Sequence, residues 1–165
     1  MSVERSGFVT LVGRPNAGKS TLLNRILGEK VSIVSNKPQT TRSRVMGVLH
    51  DGTSQIVFVD TPGIHKPVTA LGERHNETAQ NAVADVDVVC LLVDATKPIG
   101  KGDRYVASRV PKDGILVLNK IDRATPQQVL SQLSAASELG FAEYFPLSAR
   151  TGAGVDEFGA YLMKR

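Results

Sequence analysis

Short apolar runs alternate with amphipathic segments along the 165 residues of this chain. Continuous runs rich in Val, Ile and Leu are typical of strands that are buried on both faces of a mostly parallel sheet. Runs of this kind occupy residues 8–12, 86–93 and 115–118, with a shorter apolar segment at 144–147. Residues 45–50 and 55–59 flank Asp51-Gly52, a strong signal for a hairpin turn, and predict two antiparallel neighbouring strands.

Apolar residues at helical spacing separate these predicted strands. The predicted helices span residues 21–27, 74–84, 101–109, 126–139 and 155–163. Gly28 is predicted to end the first helix as its C-cap, whereas residues 29–44 are polar without a clear period and are predicted to form a loop. This order of elements predicts a three-layer α/β fold with a mostly parallel six-stranded sheet and one antiparallel edge strand. In such a sheet, ligands bind beyond the carboxyl ends of the strands.

The composition fits a folded domain with a core, since 41% of the residues are hydrophobic and 22% are charged. We expect a single domain over residues 1–165.

Cys90 is the only cysteine and lies in an apolar run, so it predicts a buried free thiol in a reducing, cytoplasmic compartment. The apolar runs are too short to span a bilayer, so any association with the inner face of the cell membrane would be peripheral. Trp is absent, which argues against an aromatic platform for stacked bases.

Positive charge is concentrated in the first 50 residues. They contain eight Lys and Arg residues but only two acidic ones, Glu4 and Glu29, whereas the net charge of the whole chain is +4. This imbalance favours a polyanionic ligand near the N-terminal end of the chain.

A phosphate-binding motif follows the first predicted strand. The pattern G-x-x-x-x-G-K-S/T is matched by Gly13, Arg14, Pro15, Asn16, Ala17, Gly18, Lys19 and Ser20, and Thr21 follows in the helix. Gly18 permits a tight turn in which backbone N–H groups converge on phosphate oxygens, at the positive end of the following helix. Lys19 is predicted to reach the β- and γ-phosphates of the nucleotide, and the Ser20 hydroxyl is predicted to be a Mg²⁺ ligand.

A second motif, D-x-x-G, follows the second strand of the predicted hairpin. It comprises Asp60, Thr61, Pro62 and Gly63. Asp60 is predicted to hold Mg²⁺ through a water molecule, and the N–H of Gly63 is predicted to face the γ-phosphate. Taken alone this motif is weak, because turns that contain Pro-Gly are common.

A third motif, N-K-x-D, follows the run at 115–118 and contains Asn119, Lys120 and Asp122. The carboxylate of Asp122 can accept hydrogen bonds from both N1–H and the exocyclic amino group of guanine, a pair of donors that adenine lacks. The Asn119 side chain is predicted to connect this loop to the base and to the phosphate-binding loop, and the Lys120 stem is predicted to cover the base. The alternative is that Asp122 caps the following helix.

Ser148, Ala149 and Arg150 follow the last apolar segment and form a fourth motif, S-A-K/R. In this context the N–H of Ala149 is predicted to donate to O6 of guanine. The four motifs occur in a fixed order, each at the carboxyl end of a predicted strand. Together they predict a GTP-binding domain of the Ras-like type, which binds GTP and GDP.

The same motifs resemble the Era GTPases over nearly the whole chain. The resemblance rests on Gly13 to Asn24, Gln39-Thr-Thr-Arg42, Asp60 to Pro67, Ala70-Leu-Gly-Glu73 and Asn119 to Asp122. It implies a GTPase that acts in assembly of the small ribosomal subunit and contacts 16S rRNA. Era proteins carry an RNA-binding KH domain after the GTPase domain, and this sequence has no G-x-x-G motif in a KH-like setting. We therefore expect an isolated or truncated, monomeric Era-type GTPase domain, whose RNA contacts would lie mainly in the missing KH domain.

The resemblance also implies catalytic roles for Lys19, Gly63 and a switch threonine. Thr41, with Thr40 as the alternative, would complete the Mg²⁺ shell and sense the γ-phosphate. The residue after D-x-x-G is Ile64, which cannot orient water as the Gln of Ras does. We therefore expect slow hydrolysis, below about 10⁻² s⁻¹. His65 as a general base is the weaker hypothesis.

Asn16 carries a separate catalytic hypothesis. Related GTPases with Asn at this position can bind K⁺ between the β- and γ-phosphates, in place of an arginine finger. The alternative is that Asn16 only tolerates a strained turn.

Two further classes of function stay open on the sequence alone. A domain with Ile64 after D-x-x-G could hold GTP without significant hydrolysis and serve as a binding module. A P-loop kinase or ATPase is disfavoured by the N-K-x-D motif, which selects guanine.

Overall fold

The computed structural model describes residues 5–14, 16–28, 44–60 and 86–164. Within these ranges the strands are β1 (Arg5–Gly13), β2 (Arg44–Asp51), β3 (Ser54–Asp60), β4 (Val88–Asp94), β5 (Ile115–Asn119) and β6 (Glu143–Pro146). The helices of the same ranges are α1 (Lys19–Leu27), α2 (Lys101–Ala107), α3 (Pro126–Ser137) and α4 (Val155–Lys164). A short 3₁₀ turn, Ile121–Arg123, follows β5.

All of these strands belong to one sheet with the order β2-β3-β1-β4-β5-β6. Every neighbouring pair is parallel except β2 and β3, which are antiparallel. The predicted six-stranded, mostly parallel sheet with one antiparallel edge strand is therefore confirmed. The residues that connect β2 to β3 are Gly52 and Thr53, so the turn lies one position later than the predicted Asp51-Gly52.

Two apolar layers cover the two faces of the sheet. On one face, Leu22 of α1 and Phe158 of α4 pack with Cys90 of β4. On the other face, Val106 of α2 packs with Leu91 of β4. Neighbouring residues of β4 thus enter opposite layers, as its continuous apolar run predicts. Each fully buried side chain of this size contributes about 1.5–3 kcal/mol to the free energy of unfolding.

Predicted and observed boundaries differ by a few residues. β4 begins at Val88, two residues later than predicted, and the preceding bend is held by Asp87. The Asp87 carboxylate accepts a hydrogen bond from the Phe8 N–H (2.8 Å), and the Asp87 N–H donates to the Phe8 carbonyl (2.9 Å). The predicted helix at 74–84 and nearly all of the predicted loop at 29–44 lie outside the described residues. Among the described helices, each is too short or too polar to cross a membrane.

Candidate nucleotide-binding site

The four sequence motifs begin at the same edge of the sheet. β1, β3 and β5 end at Gly13, Asp60 and Asn119, and β6 ends two residues before Ser148. These four strands run in one direction, so their carboxyl ends point to one side of the molecule. The motifs therefore surround a common site, at the position where open α/β sheets bind ligands.

The phosphate-binding loop between β1 and α1 depends on unusual backbone geometry. Asn16 has a φ of 70° and Gly18 a φ of 103°. A Cβ at Gly18 would overlap the side-chain amide of Asn119, and a Cβ at Gly13 would lie 2.8 Å from the carbonyl oxygen of Leu92. Gly13 is therefore required by close packing, and Gly18 by both packing and conformation.

The N-terminus of α1 is suited to anions. Its N-cap residue is Gly18, and among the described residues no side chain caps this helix end. The N–H groups of a first helical turn have no acceptor within the helix, and the helix dipole adds positive potential there. Lys19 lies in this turn, and its Nζ donates to the carbonyl of Gly13 at 3.0 Å. This contact holds the ammonium group over the loop, so backbone donors and a positive charge converge on one place.

Asn119 connects three loops. It is 2% exposed, and its Nδ2 donates to the carbonyl of Ala17 in the phosphate-binding loop at 2.9 Å. Its Oδ1 accepts hydrogen bonds from the N–H of Lys120 (2.8 Å) and from the N–H of Ala149 (3.0 Å). One side chain thus fixes the relative positions of the phosphate-binding loop, its own loop and the loop at 148–150.

Lys120 makes a second connection to the phosphate-binding loop. It has a φ of 69°, and its Nζ donates to the carbonyl of Asn16 (2.7 Å) and to Oδ2 of Asp94 (3.1 Å). Oδ1 of Asp94 accepts from both the N–H (2.8 Å) and the hydroxyl (2.5 Å) of Thr96. Burial alone would raise the pKa of Asp94, but the hydrogen bonds from Thr96 and Lys120 and the charge of Lys120 outweigh it and lower that pKa.

Asp122 lies in the 3₁₀ turn after β5 and is exposed, so a ligand can reach its carboxylate. Its Oδ1 accepts a hydrogen bond from the hydroxyl of Ser148 at 2.8 Å. Thr125 caps α3, because its Oγ1 accepts from the N–H of Gln128 at 3.1 Å. The N-cap of α3 is therefore Thr125 and not Asp122, which excludes the alternative role predicted for Asp122. The hydrogen bond from Ser148 holds the Asp122 carboxylate beside the loop at 148–150, which Asn119 also contacts.

The loop at 148–150 is held by two side chains. The N–H of Ala149 donates to Asn119, as described above, so a guanine O6 would share this donor with Oδ1 of Asn119. The carbonyl of Ala149 accepts a hydrogen bond from Nε of Arg25 at 3.1 Å, and the carbonyl of Arg150 accepts one from Nη2 of Arg25. Both backbone groups of Ala149, which is 2% exposed, are thus fixed by other elements.

Sequence reasoning does not single out Asp94, Thr96 or Arg25. Asp94 could have been found, because it ends an apolar strand as the motif residues do and precedes Thr96 by two positions, a pattern typical of Asx turns. Arg25 carries no comparable signal. An arginine in the last turn of a helix usually is a solvated charge that interacts with the helix dipole.

Three predicted site residues lie at the edge of the site. Arg14 is 54% exposed in its side chain and lies 4.0 Å from Asp103 of α2, a separation at which an exposed ion pair contributes little. Thr21 on α1 and Arg150 are also exposed. The remaining described residues of the phosphate-binding, N-K-x-D and S-A-K/R motifs lie in the three loops that Asn119 connects or at the adjoining start of α1 and the 3₁₀ turn.

Ser20 lies where a metal site would be expected. It is exposed in the first turn of α1 and lines a cavity of about 250 Å³ with Lys19 and Val59, the residue before Asp60. The end of β3 and Ser20 therefore border the same cavity. Outside the described residues lie the side chain of Asp60 and all of Pro15, Thr40, Thr41, Thr61, Pro62, Gly63, Ile64 and His65.

The donor set fits Mg²⁺ in its chemistry. Mg²⁺ prefers oxygen ligands and usually combines one or two protein oxygens with phosphates and water. Ser20 offers such an oxygen. In residues 5–14, 16–28, 44–60 and 86–164, no cluster of three or more His, Cys, Asp or Glu side chains could hold a metal by itself.

Comparison with known proteins identifies the family. The model of the family described as 50S ribosome-binding GTPase matches residues 8–120. The GTPase Era of Clostridium botulinum (strain Alaska E43 / Type E3) is 52% identical over 157 residues, which cover 92% of this chain and 53% of that protein. The chain thus spans about half the length of this relative.

Solved structures agree with the sequence relatives. A crystal structure of Era in complex with MgGDPNP and nucleotides 1506-1542 of 16S ribosomal RNA superposes with a TM-score of 0.79 at 39% identity, covering 96% of this chain and 56% of that chain. A variant of Aquifex aeolicus Era bound to GDP.AlF4- has a TM-score of 0.76 at 38% identity, with coverage of 96% and 56%. The resemblance predicted from the motifs is therefore confirmed, and the chain belongs to the family of 50S ribosome-binding GTPases as a relative of the Era GTPases.

Proposed function

We propose that this chain binds GTP and GDP with Mg²⁺ and slowly hydrolyses GTP to GDP and phosphate, as a molecular switch. One observation carries the proposal. The buried Asn119 side chain joins the phosphate-binding loop to the two loops that would contact a guanine base, and the exposed carboxylate of Asp122 is braced beside them. A phosphate-binding loop alone would bind any nucleotide. The Asp122 carboxylate, held next to that loop through Asn119 and Ser148, adds an acceptor that selects guanine.

Guanine recognition would use three groups. The carboxylate of Asp122 would accept hydrogen bonds from N1–H and the exocyclic amino group, and the Ser148 hydroxyl would keep that carboxylate in place. The Ala149 N–H would donate to O6. Lys120 would cover one face of the base with its alkyl stem, because its Nζ is already held by Asn16 and Asp94.

Phosphate binding would use the loop from Gly13 to Ser20 and the start of α1. Its backbone N–H groups would donate to the phosphate oxygens, and Lys19 would exchange the Gly13 carbonyl for the β- and γ-phosphates. Ser20, Asp60 and Thr41 would hold Mg²⁺, with Asp60 acting through water. When bound, this ion would neutralise charge on the phosphates.

Hydrolysis is proposed to be slow because the residue after D-x-x-G is Ile64, which cannot orient water as the Gln of Ras does. Thr41 and the N–H of Gly63 would position the γ-phosphate and the attacking water. The carbonyl of Asn16 is held by Lys120, which supports a structural role for its positive φ. The side chain of Asn16 is exposed, and it would act on a K⁺ ion beside the phosphates.

The ribosomal partner is inferred from the relatives. One Era structure contains nucleotides 1506-1542 of 16S ribosomal RNA, whereas the family description names the 50S subunit. We favour 16S rRNA and the small subunit, because the Era relatives match nearly the whole chain and the family model only residues 8–120. The chain spans about half of those relatives, so this partner is proposed for the whole protein.

Multiple-turnover phosphate release from GTP and ATP with Mg²⁺ tests the function directly. We expect release from GTP below about 10⁻² s⁻¹ and none from ATP. GTP binding without release would favour the alternative, a binding module. Release from ATP at the same rate as from GTP would contradict guanine selectivity.

The same assay tests the K⁺ role. Release is measured in KCl and in NaCl at equal ionic strength, for the wild-type chain and for Asn16→Ala. Faster release in KCl that disappears in Asn16→Ala would support K⁺ binding by Asn16. Equal rates in all four conditions would remove it and leave the GTPase itself intact.

A further inference from the structure

We propose that Arg25 is a positioning residue for guanine recognition, which acts on the base through the backbone of Ala149. The proposal rests on the proposed function, since it assigns the Ala149 N–H to O6 of guanine. It adds a residue outside all four motifs, located in the last turn of the helix that begins at the phosphate-binding loop.

The contacts of Arg25 are specific. Nε donates to the carbonyl of Ala149 at 3.1 Å, and Nη2 donates to the carbonyl of Arg150. Two adjacent carbonyls are thus bound by two nitrogens of one planar guanidinium group, an arrangement that a lysine cannot reproduce. The guanidinium also lies along the turn that closes this loop, because a Cβ at Gly152 would be 3.7 Å from Nη1 of Arg25.

These contacts act on the two consecutive peptide groups that flank the Cα of Ala149, the first of which would read the base. Asn119 Oδ1 holds the N–H of Ala149 from one side, and Arg25 Nε holds its carbonyl from the other. The Arg25 bond holds the second peptide group and so restrains the φ and ψ of Ala149, which in turn supports the direction of its N–H. Ser148 is held separately, since its N–H donates to Ala153 and its hydroxyl to Asp122. Loss of Arg25 should therefore disturb the donor to O6 and leave the Asp122 acceptor intact.

The simpler role of Arg25 is a positive charge at the C-terminus of α1, which stabilises the helix dipole. Because Arg25 is exposed, we expect its contribution to the free energy of folding or of binding to be moderate in either role. The two roles differ in one respect. A dipole effect changes the stability of the fold and is indifferent to the base, whereas a positioning effect depends on whether the base carries O6.

Three diphosphates separate these roles when their affinities are measured for the 165-residue chain. GDP carries O6, N1–H and the 2-amino group, IDP carries O6 and N1–H, and 2-aminopurine riboside diphosphate carries the 2-amino group but neither O6 nor N1–H. For Arg25→Ala we expect GDP and IDP to lose the same factor of about three to ten, the range given by one ordinary hydrogen bond. We expect no change for the 2-aminopurine nucleotide.

Two further variants complete the test. Arg25→Lys keeps the charge near the C-terminus of α1 and should fold like the wild type, yet it should show a smaller loss with the same dependence on O6. Arg104→Ala removes an exposed arginine from α2 and should leave all three affinities unchanged. The Lys variant keeps the test decisive if Arg25→Ala does not fold.

Other results overturn the proposal. Equal losses for all three nucleotides would reduce Arg25 to a structural residue, and unchanged affinities would remove any role. A larger loss of affinity for GDP than for IDP would show that Arg25 acts on the contact between Asp122 and the 2-amino group, and not on Ala149. Failure of the proposed function is distinguishable from these outcomes, because the wild-type chain would then bind none of the three or would bind ADP equally well.

Discussion

At the base end of the site, side chains of α1 and of the loop after β5 hold the backbone of other segments, whereas at the phosphate end the backbone conformation provides the geometry. Asn119, Lys120 and Arg25 each bond to carbonyls or N–H groups more than 100 positions away or in a separate loop. The phosphate-binding loop instead relies on positive φ at Asn16 and Gly18 and on the absence of a Cβ. A change at the base end should therefore spread through a network, and a change at the phosphate end should act by local strain.

The largest expected effect is that of Asn119→Ala, which removes the centre of the network. It leaves the carbonyl of Ala17 and the N–H of Ala149 without their partner, and a buried unsatisfied group costs about 1–3 kcal/mol. We expect the free energy of unfolding, measured with urea, to fall by about 3 kcal/mol.

Asn24→Ala is the matched control, because Asn24 is exposed on α1. It should stay within about 0.5 kcal/mol of the wild type. If Asn119→Ala also stayed within that range, the hydrogen bonds of Asn119 would not stabilise the loops that they connect.

Gly18→Ala tests the phosphate end and should cost about 2 kcal/mol, since a Cβ in this conformation is strained and overlaps Asn119. GDP binding should be lost as well. Gly140→Ala is the control, because Gly140 has a φ of 76° but open space around its Cβ position. It carries the conformational strain alone, so it should cost less and leave GDP affinity unchanged. Equal effects of the two variants would show that the contact with Asn119 is unimportant.

Asp94→Asn should have a smaller, pH-dependent effect of about 1 kcal/mol at pH 7, since it weakens a partly exposed ion pair with Lys120. The pKa of Asp94 is lowered in the folded chain, so its stabilising effect is complete above the ordinary value of 3.8. That effect is lost as the pH falls through the lower folded pKa. Urea unfolding curves of wild type and variant should therefore converge in acid. A difference that persisted there would assign the effect to packing.

The smallest effect is expected from Thr10→Val, which changes the stability of the central strand β1 and not the site itself. The Thr10 hydroxyl on β1 is fully buried, and it has no hydrogen-bond partner within the part of the chain that the structure describes. We expect the thermal unfolding midpoint to rise, with a gain of about 0.5–1 kcal/mol. Thr96→Val should have the opposite sign, because the Thr96 hydroxyl donates to Asp94. A loss of stability in Thr10→Val would mean that its hydroxyl has a partner in the folded chain.

The sequence was informative where one local pattern determines the outcome. The apolar runs at 86–93 and 115–118 predict strands buried on both faces, and the hairpin prediction holds to within one residue of its turn. The motif residues were found because their chemistry requires particular side chains at fixed spacing. Arg25 was missed because its partners are backbone carbonyls, which any residue provides, and they lie 124 and 125 positions away. Such a contact exists only after the fold has formed.

The same limit applies to the details of the base loops. The sequence predicts that Asn119 connects its loop to the phosphate-binding loop, but the third connection, to Ala149, depends on where β6 ends. Asp122 had two interpretations, a base acceptor and, as the weaker alternative, a helix cap. Only the position of Thr125 relative to α3 separates them.

Competition between GDP and xanthosine diphosphate for the wild-type chain and for Asp122→Asn is the decisive measurement of guanine recognition by Asp122. Xanthine carries an oxygen where guanine carries the 2-amino group, so an amide at position 122 would donate to xanthine and would face a second donor in guanine. We expect the wild type to prefer GDP by at least about 100-fold and Asp122→Asn to prefer xanthosine diphosphate. An unchanged preference for GDP in the variant, with the wild-type fold retained, would contradict guanine recognition by Asp122.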